Sequence, residues 1–365
     1  MPTCATQFAI VLLISLATAA ASDGLFEDSH AIQKPRKDHG YRGIMGDFIQ
    51  LTDGSILMAY ADGDIMAVKS TDQGRTWGEP SVLVNRLEAP AKGNIGAPGL
   101  LRLEGGDILL TYYHSTHPAT PYYATNYYRR SSDDGVTWSE QFCYTPHPGY
   151  LLVHNDRIQR LSTGRILAVG EYKAYLPSTS DHSGYVGISF ASDDGGYSWY
   201  PSSNTVDLFG DEKVEVQEAD VVELKDGRLL MFARTYHGYP VFAYSDDKGE
   251  SWGPPIKRED IPMPYAGLPT VRRIPSTGDL LFIWISEKSV DAENPKIHRR
   301  CTLTAAISKD EGETLIHQRH IAQDPEDDFG YQCVEFLDDD VVLVGYHNRE
   351  GIHMARIGVD WFYEE

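Results

Sequence analysis

Short apolar stretches recur along this chain, and six of them follow a turn that contains Gly or Asp. A second apolar stretch, such as residues 47–51, precedes each turn, so each unit is predicted to be a β-hairpin with Gly or Asp at its bend. The six turns and the strands that follow them occupy residues 53–58, 105–110, 163–168, 226–231, 277–282 and 339–344.

A second repeat, out of phase with the hairpins, has the pattern Ser/Thr-x-Asp-x-Gly-x-x-Trp. It occurs at residues 70–77, 131–138, 192–199 and 245–252, and a degenerate copy at 308–315 ends in Leu. We expect the Asp carboxylate to accept hydrogen bonds from its own turn, the Gly to adopt a left-handed conformation and the Trp to cover the outer edge of a sheet. Together the two repeats predict an all-β fold, a six-bladed β-propeller of four-stranded antiparallel blades with Asp-box turns.

The N-terminal segment has a different pattern from the repeats. Phe8 to Leu16 is an apolar run, and the small residues from Ala17 to Ser22 follow it. This order is typical of a secretory signal peptide, and the run is short for a membrane span. Residues 1–22 are therefore predicted to be a leader and residues 23–365 a single propeller domain. We expect a secreted or periplasmic protein with no integral membrane segment after the leader is removed.

The charge of the chain narrows the choice of partners. A formal net charge of −21 repels polyanions, so nucleic acid and anionic membrane surfaces are poor partners. A local arginine cluster can still bind a small acidic ligand, because salt screens charges beyond about 8–10 Å.

The spacings of cysteine and histidine bear on metal sites and disulfides. No metal-ligand spacing is present, and we expect neither a metal nor another cofactor. Removal of the leader takes Cys4 and leaves Cys143, Cys301 and Cys333, an odd number that cannot all pair. A disulfide between Cys301 and Cys333 is left open.

The residues that open the inner strand of each hairpin are the first candidates for a site. In a propeller these strands start near the central axis, so their first side chains converge on one cavity. The six positions are Asp47, Pro98, Asp156, Glu218, Pro269 and Tyr331, and all of them except the two prolines are polar or ionisable.

Glu218 and Tyr331 suggest a mechanism. A carboxylate hydrogen-bonded to a phenol can take its proton and make it a usable nucleophile, although phenolate is otherwise scarce at neutral pH. A neutral nucleophile suits a substrate whose anomeric carbon carries a carboxylate, since an acidic nucleophile would be repelled; sialidases are the glycosidases that use tyrosine in this way.

Two arginines follow in positions where such a substrate carboxylate would need them. Arg234 lies sixteen residues after Glu218, and Arg300 lies eight residues before the last Asp box. Arginine offers bidentate hydrogen bonds to a carboxylate, so both are predicted to bind substrate.

The third hairpin opens with a dense polar run where periodicity predicts apolar residues. It contains His154, Asn155, Asp156 and Arg157, and we place it in the pocket. Asp156 either acts as acid or base or holds Arg157. His237 and His347 follow inner strands, and both are candidates for proton donors or substrate contacts near neutral pH.

Residues 217–234 and 272–281, together with the Asp boxes, resemble the sialidase (neuraminidase) superfamily, in particular secreted bacterial sialidase-like proteins with BNR repeats. The similarity extends over nearly all of the chain after the leader. It implies a six-bladed propeller in which Glu218 activates Tyr331, the nucleophile. It also implies that Arg234 and Arg300 are two members of the triad that binds the carboxylate of sialic acid.

The chain departs from that pattern in two places. Sialidases open with Tyr-Arg-Ile-Pro, whereas residues 41–47 here run Tyr-Arg-Gly-Ile-Met-Gly-Asp, so Arg42 lies too far from its turn for an assured match. The acid/base Asp of the family has no clear counterpart, because residues 60–65 pass almost directly into the next strand. Asp47, Asp62 and Asp64 are the substitutes.

These observations favour an exported exo-acting glycoside hydrolase that releases a terminal acidic sugar from an acidic glycan. Two other functions stay open. One is a carbohydrate-binding propeller that has lost the acid, and the other is a hydrolase for a different acidic glycan with a histidine as proton donor. The linkage cleaved, the oligomeric state and the identity of the acid do not follow from the sequence.

Overall fold

The fold of the chain is seen in a computed structural model that describes residues 24–35, 46–88, 93–116, 123–174, 184–264 and 267–364. The predicted leader, residues 1–22, and Arg42 lie outside these residues. The first fourteen strands are β1 (Phe26–Gln33), β2 (Gly46–Gln50), β3 (Ile56–Asp62), β4 (Asp64–Ser70), β5 (Ser81–Val84), β6 (Asn94–Arg102), β7 (Ile108–Ser115), β8 (Ala124–Ser131), β9 (Phe142–Cys143), β10 (Tyr150–Leu152), β11 (Ile158–Arg160), β12 (Ile166–Lys173), β13 (Val186–Ser192) and β14 (Tyr200–Pro201).

Eleven more strands complete the described part of the chain. They are β15 (Gln217–Glu223), β16 (Leu229–Arg234), β17 (Val241–Ser245), β18 (Ile256–Lys257), β19 (Thr270–Arg273), β20 (Leu280–Val290), β21 (His298–Ser308), β22 (Ile316–Gln323), β23 (Gly330–Phe336), β24 (Val341–His347) and β25 (Gly351–Gly358). Helical structure among the described residues is limited to α1 (Phe209–Glu212) and two 3₁₀ turns, Arg86–Glu88 and Val359–Tyr363.

The strands form a β-propeller-like arrangement of antiparallel sheets. Four sheets have four strands each: β2 to β5, β15 to β18, β19 to β22, and a closing sheet in the order β1, β25, β24, β23. In the closing sheet the first described strand pairs with the last one, from Phe26 opposite Ile357 to Gln33 opposite Gly351. This pairing ties the two ends of the described chain together.

The prediction of six separate four-stranded blades is wrong. Strands β6 to β14 form one nine-stranded sheet, because β8 and β10 meet in a single parallel pair between Ala124 and Tyr150. A single parallel pair between two strands cannot be predicted from the local sequence. All six predicted hairpins are nevertheless present as antiparallel pairs: β2 with β3, β6 with β7, β11 with β12, β15 with β16, β19 with β20 and β23 with β24.

The Asp boxes have the predicted geometry in all five copies. In the first, Asp72 Oδ1 accepts hydrogen bonds from Thr76 N and Ser70 Oγ, both at 2.8 Å, and Ser70 Oγ accepts one from Gly74 N at 2.8 Å. The hydrogen bonds from the Thr76 side chain and backbone lower the pKa of Asp72 to about 2. Gly74 has a φ of +84°, which a Cβ would make costly. The boxes therefore act as turns in which the Asp accepts hydrogen bonds and the Gly is left-handed.

The cores lie between neighbouring sheets, where apolar faces of successive strands pack. Three of these clusters centre on the fully buried Trp284, Phe190 and Leu303. Cys143, Cys301 and Cys333 are all free, so no disulfide joins Cys301 to Cys333. Among the described residues no helix is long and apolar enough to cross a membrane.

Candidate active site

Two inner strands begin with a distorted backbone, and these distortions bring Glu218 and Tyr331 together. Pairing of β15 with β16 is interrupted between Gln217 and Asp220, and pairing of β23 with β24 between Gly330 and Cys333. Glu218 has a φ of +45° and Tyr331 a φ of +52°. Left-handed conformations of residues with a Cβ cost about 1–2 kcal/mol each and are concentrated at functional sites. Ala97 in β6 has the same distortion, with a φ of +49° and interrupted pairing between Gly96 and Gly99, so the distorted backbone places side chains of several inner strands.

The side chains of Glu218 and Tyr331 are hydrogen-bonded across the molecule. Tyr331 Oη donates to Glu218 Oε1 at 3.1 Å, and both side chains are buried. The contact joins the first strands of two different sheets, 113 residues apart in sequence. The pair that the sequence predicted is thus brought within hydrogen-bonding distance.

Arg234, at the end of β16, lies on the other side of Glu218. Its Nη1 is 2.6 Å from Glu218 Oε2, and its Nε and Nη2 donate to Gln217 Oε1 at 3.1 and 2.6 Å. Burial alone would lower the pKa of Arg234, but the charge of Glu218 raises it above its ordinary value. Nη2 also donates to Tyr236 Oη at 3.2 Å. Arg234 therefore fixes the second oxygen of Glu218.

Arg300, on β21, is fully buried beside Tyr331. Its Nε donates to Asp328 Oδ1 at 2.8 Å, its Nη2 is 3.1 Å from His347 Nε2, and its guanidinium carbon lies 5.3 Å from the centre of the Tyr331 ring. A Cβ on Gly330 would lie 2.9 Å from Arg300 Nη1, so glycine is needed here for the arginine to pass. His347 is therefore a neighbour of the pair, as the sequence analysis proposed.

Two further side chains complete the group around Tyr331. His154 Nε2 lies 3.6 Å from Glu218 Oε1 and 3.7 Å from Glu171 Oε1, and the rings of His154 and Tyr331 are 5.9 Å apart. The sequence analysis missed Glu171, which follows the apolar run of β12 and precedes Tyr172 and Lys173 in that strand. We call His154, Glu171, Glu218, Arg234, Arg300 and Tyr331 the Tyr331 cluster.

Asp47 and Asp156, the other two predicted catalytic residues, lie in a separate polar group. Asp156 is paired with Arg157 and, at 2.8 Å, with Arg272 Nη2, and Arg272 Nη1 also binds Asp220. We call Asp47, Asp156, Arg157, Asp220 and Arg272 the Asp156 network.

Every carboxylate oxygen of the Asp156 network has a donor. Asp47 accepts the N–H groups of Phe48 at 2.8 Å and Leu100 at 2.7 Å. Burial, and then the charge of Asp156, raise the pKa of Asp47 well above its usual range. No contact among the described residues joins these carboxylates to the Tyr331 side chain. The structure therefore does not bring Asp47 and Asp156 to the proposed nucleophile, and their catalytic role stays a prediction.

Asn155 and Arg157, the sequence neighbours of Asp156, form hydrogen bonds to other strands. Asn155 Nδ2 donates to the carbonyl oxygens of Gly46, Tyr331 and Gln332 at 3.1 to 3.3 Å, which ties three sheets together beneath the strained Tyr331. Arg157 Nη2 donates to Pro269 O at 2.5 Å and Thr270 Oγ1 at 3.0 Å. Both are predicted to bind substrate; Asn155 Nδ2 and Arg157 Nη2 are held by neighbouring strands, whereas Asn155 Oδ1 and Arg157 Nε have no hydrogen-bond partner among the described residues.

The remaining candidates are not brought to Tyr331. His237 is exposed, its N–H donates to Thr235 Oγ1 at 3.1 Å, and its ring lies 6.5 Å from that of Tyr239. Asp62 is paired with Lys34, and Asp64 accepts the N–H of Arg86 at 2.8 Å. These two carboxylates therefore stabilise the chain around β3 and β4.

An open cavity of about 970 Å³ lies along the inner strands, lined by Asp47, Asp156, Arg272 and Glu335 among others. Neither Glu218 nor Tyr331 lines it. Burial raises the pKa of Glu335 to about 7. Within the described ranges, no cluster of His, Cys, Asp and Glu could hold a metal ion.

Comparison of the sequence with known families finds one that spans most of the chain. Residues 47–339 match the BNR repeat-like domain. A curated relative, a sialidase from Micromonospora viridifaciens, is 30% identical over 253 residues, which are 63% of this chain and 37% of that protein. The chain thus spans little more than a third of the length of this relative.

Solved structures are similar in fold. A Hadza microbial sialidase superposes with a TM-score of 0.71 at 18% identity, over 91% of this chain and 68% of that one. A protein of unknown function from Dyadobacter fermentans gives a TM-score of 0.67 at 23% identity, over 91% of this chain and 98% of that one. At these identities the likeness supports the fold alone.

Proposed function

Because the chain belongs to the BNR repeat-like family and is sialidase-like, we propose that it is an exo-acting glycoside hydrolase that releases sialic acid or a related terminal acidic sugar. The observation that carries the proposal is the 3.1 Å hydrogen bond from Tyr331 Oη to Glu218 Oε1, between two residues with strained backbones. A purely structural tyrosine needs neither a buried carboxylate partner nor this conformation.

In the proposed reaction Glu218 takes the phenolic proton as Tyr331 attacks the anomeric carbon. The glycosyl–tyrosine bond forms, the glycosidic bond breaks, and water then releases the sugar with retention. Arg234 would hold Glu218 in place through its 2.6 Å contact while the proton moves. The neutral phenol avoids the repulsion that a carboxylate nucleophile would meet beside the substrate's own carboxylate.

Arg300 is the proposed main contact for that carboxylate. Its Nη1 is buried, and no described residue forms a hydrogen bond with it, whereas Nε and Nη2 are held by Asp328 and His347. The arginine is therefore fixed with one donor group uncommitted. Arg234 and Arg42 are the other proposed members of the binding group. His347 stays a candidate for substrate contact, and the group that protonates the leaving oxygen is unassigned.

A carbohydrate-binding propeller without catalysis is the second candidate. It is favoured by the pairing of Asp62 with Lys34 and of Asp64 with Arg86 N, because these two carboxylates are held away from Tyr331 in the part of the chain that the structure describes. A hydrolase for another acidic glycan would use the same Tyr331 cluster. In each case the proposed partner is an acidic glycan, and the net charge of −21 disfavours nucleic acid. Export is proposed from the leader-like pattern of residues 1–22.

The direct test is release of the fluorophore from an aryl sialoside by the purified protein and by Tyr331→Phe. We expect turnover by the wild type and a loss of about 1,000-fold or more in the variant, because the nucleophile is removed. Tyr346→Phe is the matched control, since Tyr346 is a buried tyrosine of the neighbouring strand β24 that bonds Asp28. Absence of turnover by the wild type, with binding on a glycan array, would instead support the binding propeller.

A further inference from the structure

His154 is a buried histidine with no hydrogen-bond partner for either ring nitrogen among the described residues. It lies just after β10, and it is 4% exposed. Buried polar groups in folded proteins almost always have partners, so each exception needs an explanation. Glu171 Oε2 is a second buried atom without a partner in the same place.

His154 and the proposed nucleophile, Tyr331, have a common neighbour in Glu218. His154 Nε2 lies 3.6 Å from Glu218 Oε1, the same oxygen that accepts the hydrogen bond from Tyr331. The same Nε2 lies 3.7 Å from Glu171 Oε1, on β12. Leu152, two residues before His154, pairs with Glu171, so the backbone of β10 and β12 fixes this approach. His154 therefore sits beside two carboxylates, one of which is bound to the phenol.

We propose that His154 is a positioning residue that relays the proton of Tyr331 through Glu218, and that Glu171, beside the same ring nitrogen, stabilises the imidazolium that forms. The proposal rests on the proposed function for the reaction it serves. When Tyr331 attacks, its O–H bond breaks and the proton passes to Glu218 Oε1 and on to His154 Nε2. Glu218 thereby returns to the carboxylate that Arg234 holds at 2.6 Å.

The proton balance closes over the two steps. In the first, the Tyr331 Oη–carbon bond forms and the glycosidic carbon–oxygen bond breaks, and the leaving oxygen takes a proton from the general acid or solvent. In the second, water attacks the anomeric carbon and gives up a proton to that acid or solvent. The proton held on His154 then returns through Glu218 to the Tyr331 oxygen.

A relay on the nucleophile side differs measurably from an acid on the leaving-group side. We expect His154→Gln to lower kcat about 10- to 100-fold with little change in KM, and by the same factor for an activated aryl sialoside and for a sialyl-lactose. Glu171→Gln should give a smaller loss, and the double variant should be no slower than His154→Gln alone.

The matched control is His114→Gln. His114 is another buried histidine whose nitrogens have no partner among the described residues, but its neighbours are the rings of Tyr112 and Tyr127 at 5.5 and 4.2 Å. Its kcat should stay within twofold of the wild type. Imidazole added to His154→Gly should restore part of the lost rate. A loss of kcat confined to sialyl-lactose would overturn the relay and show that His154 is the general acid. A loss of kcat no greater than that of His114→Gln would show that His154 has only a structural role.

A second measurement needs no substrate and therefore separates the relay from the proposed function. The rate of Tyr331 acetylation by N-acetylimidazole, followed by peptide mass spectrometry, reports the nucleophilicity of the phenol. We expect it to fall at least fivefold in His154→Gln and to stay unchanged in His114→Gln. Equal rates in the wild type and His154→Gln would overturn the relay, whether or not the protein cleaves sialosides.

Discussion

Both the Tyr331 cluster and the Asp156 network are buried polar groups built from inner strands, but they differ in how completely their atoms are satisfied. In the Asp156 network every carboxylate oxygen has a donor, Arg272 and Arg157 both bridge Asp156 and Asp220, and only Arg157 Nε lacks a hydrogen-bond partner among the described residues. In the Tyr331 cluster, His154 and Arg300 keep polar atoms without hydrogen-bond partners among the described residues. Satisfied buried polar groups are typical of structure, whereas unsatisfied ones beside a strained backbone are typical of function.

The largest effect should come from Glu218→Gln. Glutamine keeps the shape and one acceptor, but it cannot take the phenolic proton, so we expect kcat for an aryl sialoside to fall about 1,000-fold. The variant also leaves the buried Arg234 without its anionic partner, so the rate is compared per folded molecule, with the folded fraction measured by urea unfolding. A variant that loses stability but keeps its rate per folded molecule would show that the Tyr331 cluster has the structural role assigned to the Asp156 network.

The second effect concerns stability rather than rate. Arg272→Met removes one of the two arginines that Asp156 and Asp220 share, and breaking a buried ion pair in this way costs about 3–5 kcal/mol. Urea unfolding is the measurement, and Arg228→Met is the control, since Arg228 pairs with Asp226 at the surface at 2.7 Å. A loss below about 1 kcal/mol would show that the network is not the structural one.

The smallest effect is a pH dependence from Glu335, which lines the open cavity beside the Asp156 network. Burial raises the pKa of Glu335 from 4.5 to about 7, so its carboxyl group ionises at a lower pH in the unfolded chain than in the folded protein. The folded protein therefore loses stability as the pH rises between these two values. Glu335→Gln removes this loss. Its stability relative to the wild type should increase by roughly 1–2 kcal/mol from pH 5 to pH 8. Glu140→Gln, at an exposed site, is the control, and a constant difference would contradict the assignment.

The sequence predicted the local parts of this molecule well. All six hairpins and all five Asp boxes follow from turn residues and apolar runs, because their hydrogen bonds join residues close in sequence. The single parallel pair between Ala124 and Tyr150, which merges two sets of strands, depends on a contact between sheets that no turn residue encodes.

The site was predicted in part for a similar reason. Glu218 and Tyr331 were identified by their position at the start of inner strands, and the structure brings them together. The same rule also selected Asp47 and Asp156, because it gives the approach to the axis but not the depth along it. Glu171 was missed because it lies at the far end of β12, where only the path of the neighbouring strand β10 makes it relevant.

The central claim is that Tyr331 is the nucleophile of a sialidase-like hydrolase. It is tested most directly by mixing the protein with an aryl sialoside, quenching in acid within milliseconds and analysing the peptides by mass spectrometry. We expect the mass of one sugar on the peptide that contains Tyr331, and no adduct in Tyr331→Phe. A burst of released aryl alcohol with the sugar on another residue, such as Glu218 or Asp156, would contradict the account.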